Sequence, residues 1–393
     1  MRFTTKAWMT TVAATAVLGA TAGTGYAATQ GTASTQSTAS TRQAAPASRS
    51  AAADEAAQLR ALYKRALAQG GELTVYMGGD KPGQWDFVSQ AFTKSFPGIR
   101  LHLVTDLSKY QDARIDNQLA THDPVADVAI LQTVQDFTQW KAEGDLLQYR
   151  PIGYNEIFSN AKDPAGYWTG VFYGAFADMV NTKDLPADAD SFTAADLLSP
   201  KFKNKLIFTY PDDDDAVLYD FKLTVDKYGW KWLRELMAQH PKFVRGTPYS
   251  AAPVADGRYL ATLGTAGDPS PDATMVFPAH DPFNTWVQHG AIFKQTRHKA
   301  AAELFMSWIT SQSFQKQDIA TFTWSVRKDV APPAGLRPLA TYKQTNVANF
   351  NAFMANRAAA EEFRSEVQLY VGQVEGPDPA DPDNSLGLTP GGF

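Results

Sequence analysis

Cysteine is absent from the chain, which excludes disulfides, Cys-ligated zinc, a Cys nucleophile and a lipid-modified N-terminal cysteine. Histidine is scarce, and His102, His122, His240, His280, His289 and His298 show no metal-ligand spacing. Also missing are a Gly-x-Ser-x-Gly elbow, a His-Glu-x-x-His pair, a Walker loop and a dinucleotide Gly-x-Gly-x-x-Gly behind a strand. The common hydrolase, zinc-protease and nucleotide-binding signatures therefore do not apply. A net basic charge is lacking too: the formal charge of −5 offers no general attraction for nucleic acid. No internal repeat of roughly 20 to 50 residues is visible, which argues against a solenoid or an adhesive array.

What is present suffices for two or three soluble domains: 393 residues, 44% hydrophobic and 12% aromatic. Arg2 and Lys6 precede an apolar, Ala-rich run from Val12 to Ala22, and small residues surround Ala27. This is the pattern of a secretory signal peptide over residues 1–27, cleaved after Ala27. Threonines dilute the run, which is shorter than the roughly 20 apolar residues a membrane span needs. The mature protein is thus expected to be periplasmic or secreted, without a lipid anchor. Residues 28–53 are rich in Ala, Ser and Thr with no apolar period, and are expected to form a disordered tether. Pro377, Pro379, Pro382 and Pro390 with several glycines predict an irregular tail over 376–393.

Between these ends the pattern alternates strands and helices. Glu72-Leu-Thr-Val-Tyr-Met77 reads as a strand ending in Gly78-Gly79-Asp80. Trp85, Val88, Phe92 and Phe96 then recur at helical spacing, and Pro97-Gly98 stops that helix. Ile99, Leu101 and Leu103 alternate, a helical stretch spans Lys109 to Ala120, and Asp127-Val-Ala-Ile-Leu131 is a further strand. The βαβαβ order predicts a mostly parallel sheet covered by helices. After the aromatic segment Gly166 to Phe176, strands at Leu206–Tyr210, Tyr259–Leu263 and Thr274–Phe277 predict a second α/β lobe, and Ala300, Leu304 and Trp308 lie on an amphipathic helix.

Ligands of open α/β sheets sit at strand carboxyl ends, and the densest signal lies at one of them. Tyr210-Pro211 leads into Asp212-Asp213-Asp214-Asp215 and then a helix. Helix capping and the dipole account for one or two acids. Four adjacent carboxylates repel by about 1 kcal/mol per close pair even in water, which points to a cationic partner. Spacing excludes an EF-hand loop. Gly78-Gly79-Asp80 reads either as a tight turn or as a strand-end site. Tyr167, Trp168, Phe172, Tyr173 and Phe176 read as core or as a ligand wall. The segment Arg245-Gly246-Thr247-Pro248-Tyr249-Ser250 opens a helix whose backbone N–H groups are available to a ligand or a cap.

The order of Glu72–Asp80, Ala126-Asp-Val-Ala-Ile-Leu-Gln132, Tyr210-Pro211, Val254-Ala-Asp-Gly-Arg-Tyr259, Ala301-Ala-Glu-Leu-Phe-Met-Ser-Trp308 and Ser325-Val-Arg-Lys-Asp329 resembles the type II substrate-binding proteins of ABC importers. The likeness spans roughly Leu62 to Val330 and is greatest to the ferric-iron-binding group, with similar fungal and bacterial extracellular proteins. It implies an α/β, two-lobe type II periplasmic-binding-protein fold with a hinge of crossing strands and a central ligand cleft. It also implies transport without catalysis, no cofactor, and an ABC permease as membrane partner. Ferric binders of this group carry a histidine, a glutamate and a Tyr-Tyr pair where this chain has Asp80, Gln132 and the tyrosine-free stretch 265–272. Phenolate capture of Fe³⁺ is therefore not expected.

The resulting expectation is lobe 1 over 54–170 and 285–345, lobe 2 over 171–284, and a helical extension over 346–375. The cleft is expected to be lined by Gly79, Asp80, Gln132, Tyr173, Asp213, Asp214, Tyr249, Ser250 and Asp281. The aspartates would draw a small cationic solute, a metal complex or an organic amine, to a monomeric protein that binds no nucleic acid. The alternative is a secreted hydrolase using Asp80 with Asp213 or Asp214 as a carboxylate pair.

Overall fold

A computed structural model describes residues 51–185 and 192–386, so the signal peptide, most of the tether and the last seven residues of the tail lie outside the described residues. The first element is already a correction. Helix α1 (Ala51–Ala68) begins inside the stretch read as tether. Its alanines favour helix, Asp54 and Arg65 sit at the dipole ends that suit them, and Leu62 and Ala66 are buried.

Strand β1 (Glu72–Gly78), helix α2 (Asp86–Ser95), strand β2 (Arg100–Asp106), helix α3 (Ser108–Ala120), strand β3 (Val128–Leu131) and helix α4 (Val134–Glu143) follow. Val75 pairs with Leu103 on one side and Val128 on the other, so β1 runs parallel between β2 and β3. Val88 and Phe92 of α2 are fully buried against this sheet, with Phe92 and Trp308 ring centroids 5.1 Å apart. Strand β4 (Thr169–Ala175) enters the same sheet and β5 (Ala177–Asn181) the next. The chain therefore crosses at Phe176, later than the expected 170/171, because β4 keeps its pairing up to Ala175.

The second sheet holds β5 with β6 (Ile207–Thr209), β7 (Lys242–Val244), β8 (Ala261–Thr265) and β9 (Ala273–Val276). Its helices are α5 (Asp215–Tyr228), α6 (Trp230–Met237) and α7 (Thr247–Ala255). β6 pairs parallel with β7, a parallel bridge from Leu206 to Ala261 joins β6 to β8, and β5 lies antiparallel between β8 and β9. The chain returns through β10 (Thr285–Ile292), antiparallel between β3 and β4. The first sheet thus has the order β2-β1-β3-β10-β4, and in the second lobe the pair β7-β6 and the sheet β8-β5-β9 meet at the Leu206–Ala261 bridge to give the corresponding order. Both sheets direct the carboxyl ends of their parallel strands to one cleft.

Helices α8 (Lys299–Ile309) and α9 (Gln312–Gln317) cover the first sheet, while α10 (Val347–Ala355) and α11 (Arg357–Val371) add Phe350, Phe353 and Phe363 to the core of the second. No helix among the described residues is long and apolar enough to cross a membrane.

Candidate functional site

A cavity of about 250 Å³ lies where the strand ends meet. Its floor is set by β1, whose glycines are fixed by close approach. A Cβ on Gly78 would stand 2.1 Å from Ser108 Oγ, and one on Gly79 would stand 2.8 Å from Thr105 Cγ2. The bare backbone lets Trp85 Nε1 donate to the Gly78 carbonyl at 2.8 Å. Ser108 Oγ accepts from Gln132 N at 3.0 Å, which ties the end of β3 to the start of α3.

Asp80 follows directly. Its backbone N–H donates to Gln84 Oε1 (2.8 Å), and its carboxylate accepts from the backbone N–H of Thr247 (3.0 Å) and from the Thr247 hydroxyl. Burial raises the pKa of Asp80, the two Thr247 hydrogen bonds oppose that rise, and the charges of Asp213 and Asp378 add to it.

The aspartate run divides into four separate jobs. Asp212 turns away to Gln368 of α11 (3.2 Å). Asp213 is held by Lys109 and by a forked pair from Arg245, Nε to Oδ2 at 2.8 Å and Nη2 to Oδ1 at 3.2 Å. Burial pushes the Asp213 carboxyl up, but Lys109 and Arg245 outweigh it and hold it below the usual carboxylate range. Asp214 is the N-cap of α5, accepting from Ala216 N (2.8 Å) and Val217 N (2.9 Å). Burial first, then the charge of Asp80, pushes it up to about 8. Asp215 pairs with Arg364 at 2.5 Å.

Aromatic rings form the remaining walls. Trp85 packs on Phe172 (centroids 5.6 Å), Phe176 on Trp286 (4.8 Å), and Phe322 closes the side next to Phe172 (6.3 Å). Gly174 makes room for Trp286, since a Cβ there would stand 2.2 Å from the indole. Trp286 Nε1 donates to Gln288 Oε1 at 2.9 Å, which leaves the indole face toward the cavity without a donor demand of its own.

Of the residues expected in the cleft, Gly79, Asp80, Gln132, Asp213 and Asp214 line this cavity. Four others lie elsewhere. Tyr173 follows Phe172 in β4, so strand alternation sends it to the opposite face, where its hydroxyl donates to Asn160 Oδ1 at 2.7 Å. Tyr249 is 44% exposed and donates to the Pro379 carbonyl at 3.4 Å. Ser250 is fully buried and bonds within α7 and to Thr209 (2.9 Å) and Thr265 (3.0 Å). Asp281 accepts from Lys227, Tyr228 (2.6 Å) and Ala194 N (2.6 Å), so its charge is spent tying the second lobe together. Sequence reasoning missed Lys109, Trp85, Trp286 and Phe322. Lys109 was accessible to it, because it follows the end of β2 as Asp80 follows β1.

The model of the bacterial extracellular solute-binding protein family matches residues 79–316, from the β1 turn to α9. The chain belongs to that family. No curated protein matches this solute-binding protein in sequence. Its fold matches iron-bound HitA from Pseudomonas aeruginosa at 16% identity, covering 75% of this chain and 99% of that one with a TM-score of 0.61. Periplasmic binding protein AfuA from Actinobacillus pleuropneumoniae, with fructose-6-phosphate bound, matches at 17% over 76% and 98%, TM-score 0.63. The substrate-binding protein of an ABC transporter from Agrobacterium tumefaciens matches at 14% over 77% and 94%, TM-score 0.66. The fold is that of the two-lobe periplasmic binding proteins, and the function class is extracellular solute binding.

Proposed function

We propose that the solute is a small organic cation, an amine or quaternary ammonium ion, held between Asp80 and Asp214 and against the indole and phenyl rings of the cavity. One observation carries this reading. Asp80 and Asp214 both line the cavity, the charge of Asp80 adds to the cost of ionising Asp214, and the base that lines the cavity, Lys109, is already paired with Asp213. A cation between the two carboxyls would let both ionise, and the aromatic walls would add about 1 kcal/mol or more per well-placed ring face. Among the described residues no group of three His, Cys, Asp or Glu side chains is arranged to hold a metal ion, which favours an organic amine over a bare metal. The cavity of about 250 Å³ suits a solute of a few heavy atoms. Delivery would be to an ABC permease, with the mature protein periplasmic or secreted.

Titration calorimetry with choline and 1,4-diaminobutane, against citrate and inorganic phosphate as anion controls, tests the charge. The expected result is amine binding with proton release below about pH 8, where the free Asp214 carboxyl still holds its proton, fading above it. Binding of an anion in preference to either amine would overturn it.

A further inference from the structure

The segment after α11 is irregular in backbone, yet part of it is buried. Asp378 is 3% exposed, Asp381 and Ala380 are each 7% exposed, and Pro379 lies buried between them. The sequence explains how so short a piece holds a shape. Pro377, Pro379 and Pro382 fix φ. Asp378 Oδ1 accepts from Ala380 N (2.8 Å) and Asp381 N (3.2 Å), and Asp381 accepts from Ser385 N (2.9 Å) and Leu386 N (2.8 Å). The segment is a pre-formed strap.

The strap touches both lobes. It springs from α11, which is fastened to the second lobe by the Trp230–Tyr370 stack (5.5 Å) and the Arg364–Asp215 pair. On that side Arg245 Nη1 donates to the Gly376 carbonyl at 3.2 Å and Tyr249 to the Pro379 carbonyl. On the other side the same Arg245 donates to the Tyr110 hydroxyl of α3 at 2.8 Å, the charge of Asp378 bears on the carboxyl of Asp106, the last residue of β2, and Asp381 feels the charge of Arg114 of α3. Arg245 also grips Asp213, and the charge of Asp378 reaches Asp80. The strap therefore runs along the seam between the lobes, beside the solute cavity.

Asp378 is buried where its charge meets those of Asp106 and Asp80, a position that needs compensating contacts. The strap is joined to both lobes through Arg245, which holds the Gly376 carbonyl and the Tyr110 hydroxyl at once, and hinge opening separates the lobes, so the closed arrangement alone keeps all of these contacts together. We infer that residues 376–386 form an intramolecular latch that holds the cleft closed without solute and must leave the seam before the cleft can open and exchange what it holds. The inference rests on the reading of the cavity as the solute site for its effect on exchange, but not for its effect on closure.

The absence of native cysteine allows a clean distance measurement. Spin labels on Lys94→Cys in α2 and Lys231→Cys in α6 report lobe separation by double electron–electron resonance, in the full chain, in a chain ending at Glu375, and in full-length Asp378→Ala. Without any solute, the full chain is expected to give one short distance, and both variants a longer or two-peaked distribution. Thermal unfolding confirms that each variant is folded, and Asp378→Ala serves where the truncation is not. Identical distributions in the full chain and a folded variant would overturn the latch, as would an open full chain. Choline adds a second readout, with dissociation expected to be at least tenfold faster from the variants. A distance change without choline binding supports the latch and rejects the amine reading; choline binding with unchanged distances does the reverse.

Discussion

Asp80 and Thr247 stand 167 residues apart and join the two lobes, the carboxylate of one capping the first turn of the helix that begins with the other. The N-terminus of α7 is a natural anion site, and the protein's own carboxylate already fills it. An anionic solute would have to displace Asp80, whereas a cation would gain from its remaining oxygen.

Replacing Asp80 with Asn keeps a side chain that accepts from a helix N-terminus and removes the charge. Amine affinity is expected to fall by at least about tenfold, or 1.4 kcal/mol, while the melting temperature barely moves. Calorimetric titration beside thermal unfolding of one preparation checks both halves, and an unchanged affinity would count against Asp80 as a ligand.

Asp213 is unlike its neighbour Asp214, and the two are expected to respond differently. In Arg245→Met, Asp213 loses its buried partner, with Arg245 6% and Asp213 2% exposed at the side chain. A loss of about 3 kcal/mol in urea unfolding is expected. Lys109, 34% exposed, should contribute no more than about 1 kcal/mol when replaced by Met. Equal losses in the two variants would show that the fork from Arg245 is not the main support.

The stability contribution of Asp214 has a definite sign in pH. Its carboxyl is raised by burial and by Asp80 from 3.8 to about 8. Between those values the folded chain holds more protons at this site than the unfolded chain, so wild-type stability falls there as pH rises. Asp214→Asn lacks that loss and keeps the cap. The difference in stability should therefore widen in favour of the variant as pH rises from about 4 to about 8, and be flat beyond. Melting temperatures of both proteins across that range decide it; parallel curves would mean that Asp214 is charged throughout.

Gly174→Ala places a methyl group 2.2 Å from the Trp286 ring. The indole must move into the cavity or β4 must shift. A destabilisation of about 2 kcal/mol is expected, with a change in Trp fluorescence and weaker solute binding in the same variant.

Much of the first lobe was legible because β1, α2 and β3 carry their own periodicity. The apolar spacing of Trp85, Val88, Phe92 and Phe96 marks a helix whatever surrounds it. β10 gave no such signal. Gln288 and His289 interrupt its apolar run and Gly290 follows, yet all eight residues are buried. Its polar side chains are accommodated by distant partners: Gln288 Nε2 donates to the Ile130 carbonyl at 3.4 Å, and Trp168 stacks on His289 at 3.8 Å. The cavity followed the same rule. Strand-end residues could be found from strand positions, whereas Tyr173 is expected in the cleft and Phe172 lines the cavity in its place, because local pattern does not say which of two successive strand residues points inward. Asp281 could not be placed, because its partners Lys227 and Ala194 lie far away in sequence. The buried strap was hidden for the same reason: proline-rich composition signals irregular backbone and is silent about burial.

The position of β10 in the chain sets an order of assembly. Residues 72 to 131 supply three parallel strands early, but β4 is separated from them by the slot that β10 fills, and Gly290 meets Ile130 across a long stretch of intervening chain. Closing so large a loop is slow. The strands of the second sheet all lie within 177–276 and can pair before β10 is reached. A chain emerging from its N-terminus would carry an unfinished first lobe, with the edge of β3 open, until residue 292 is free.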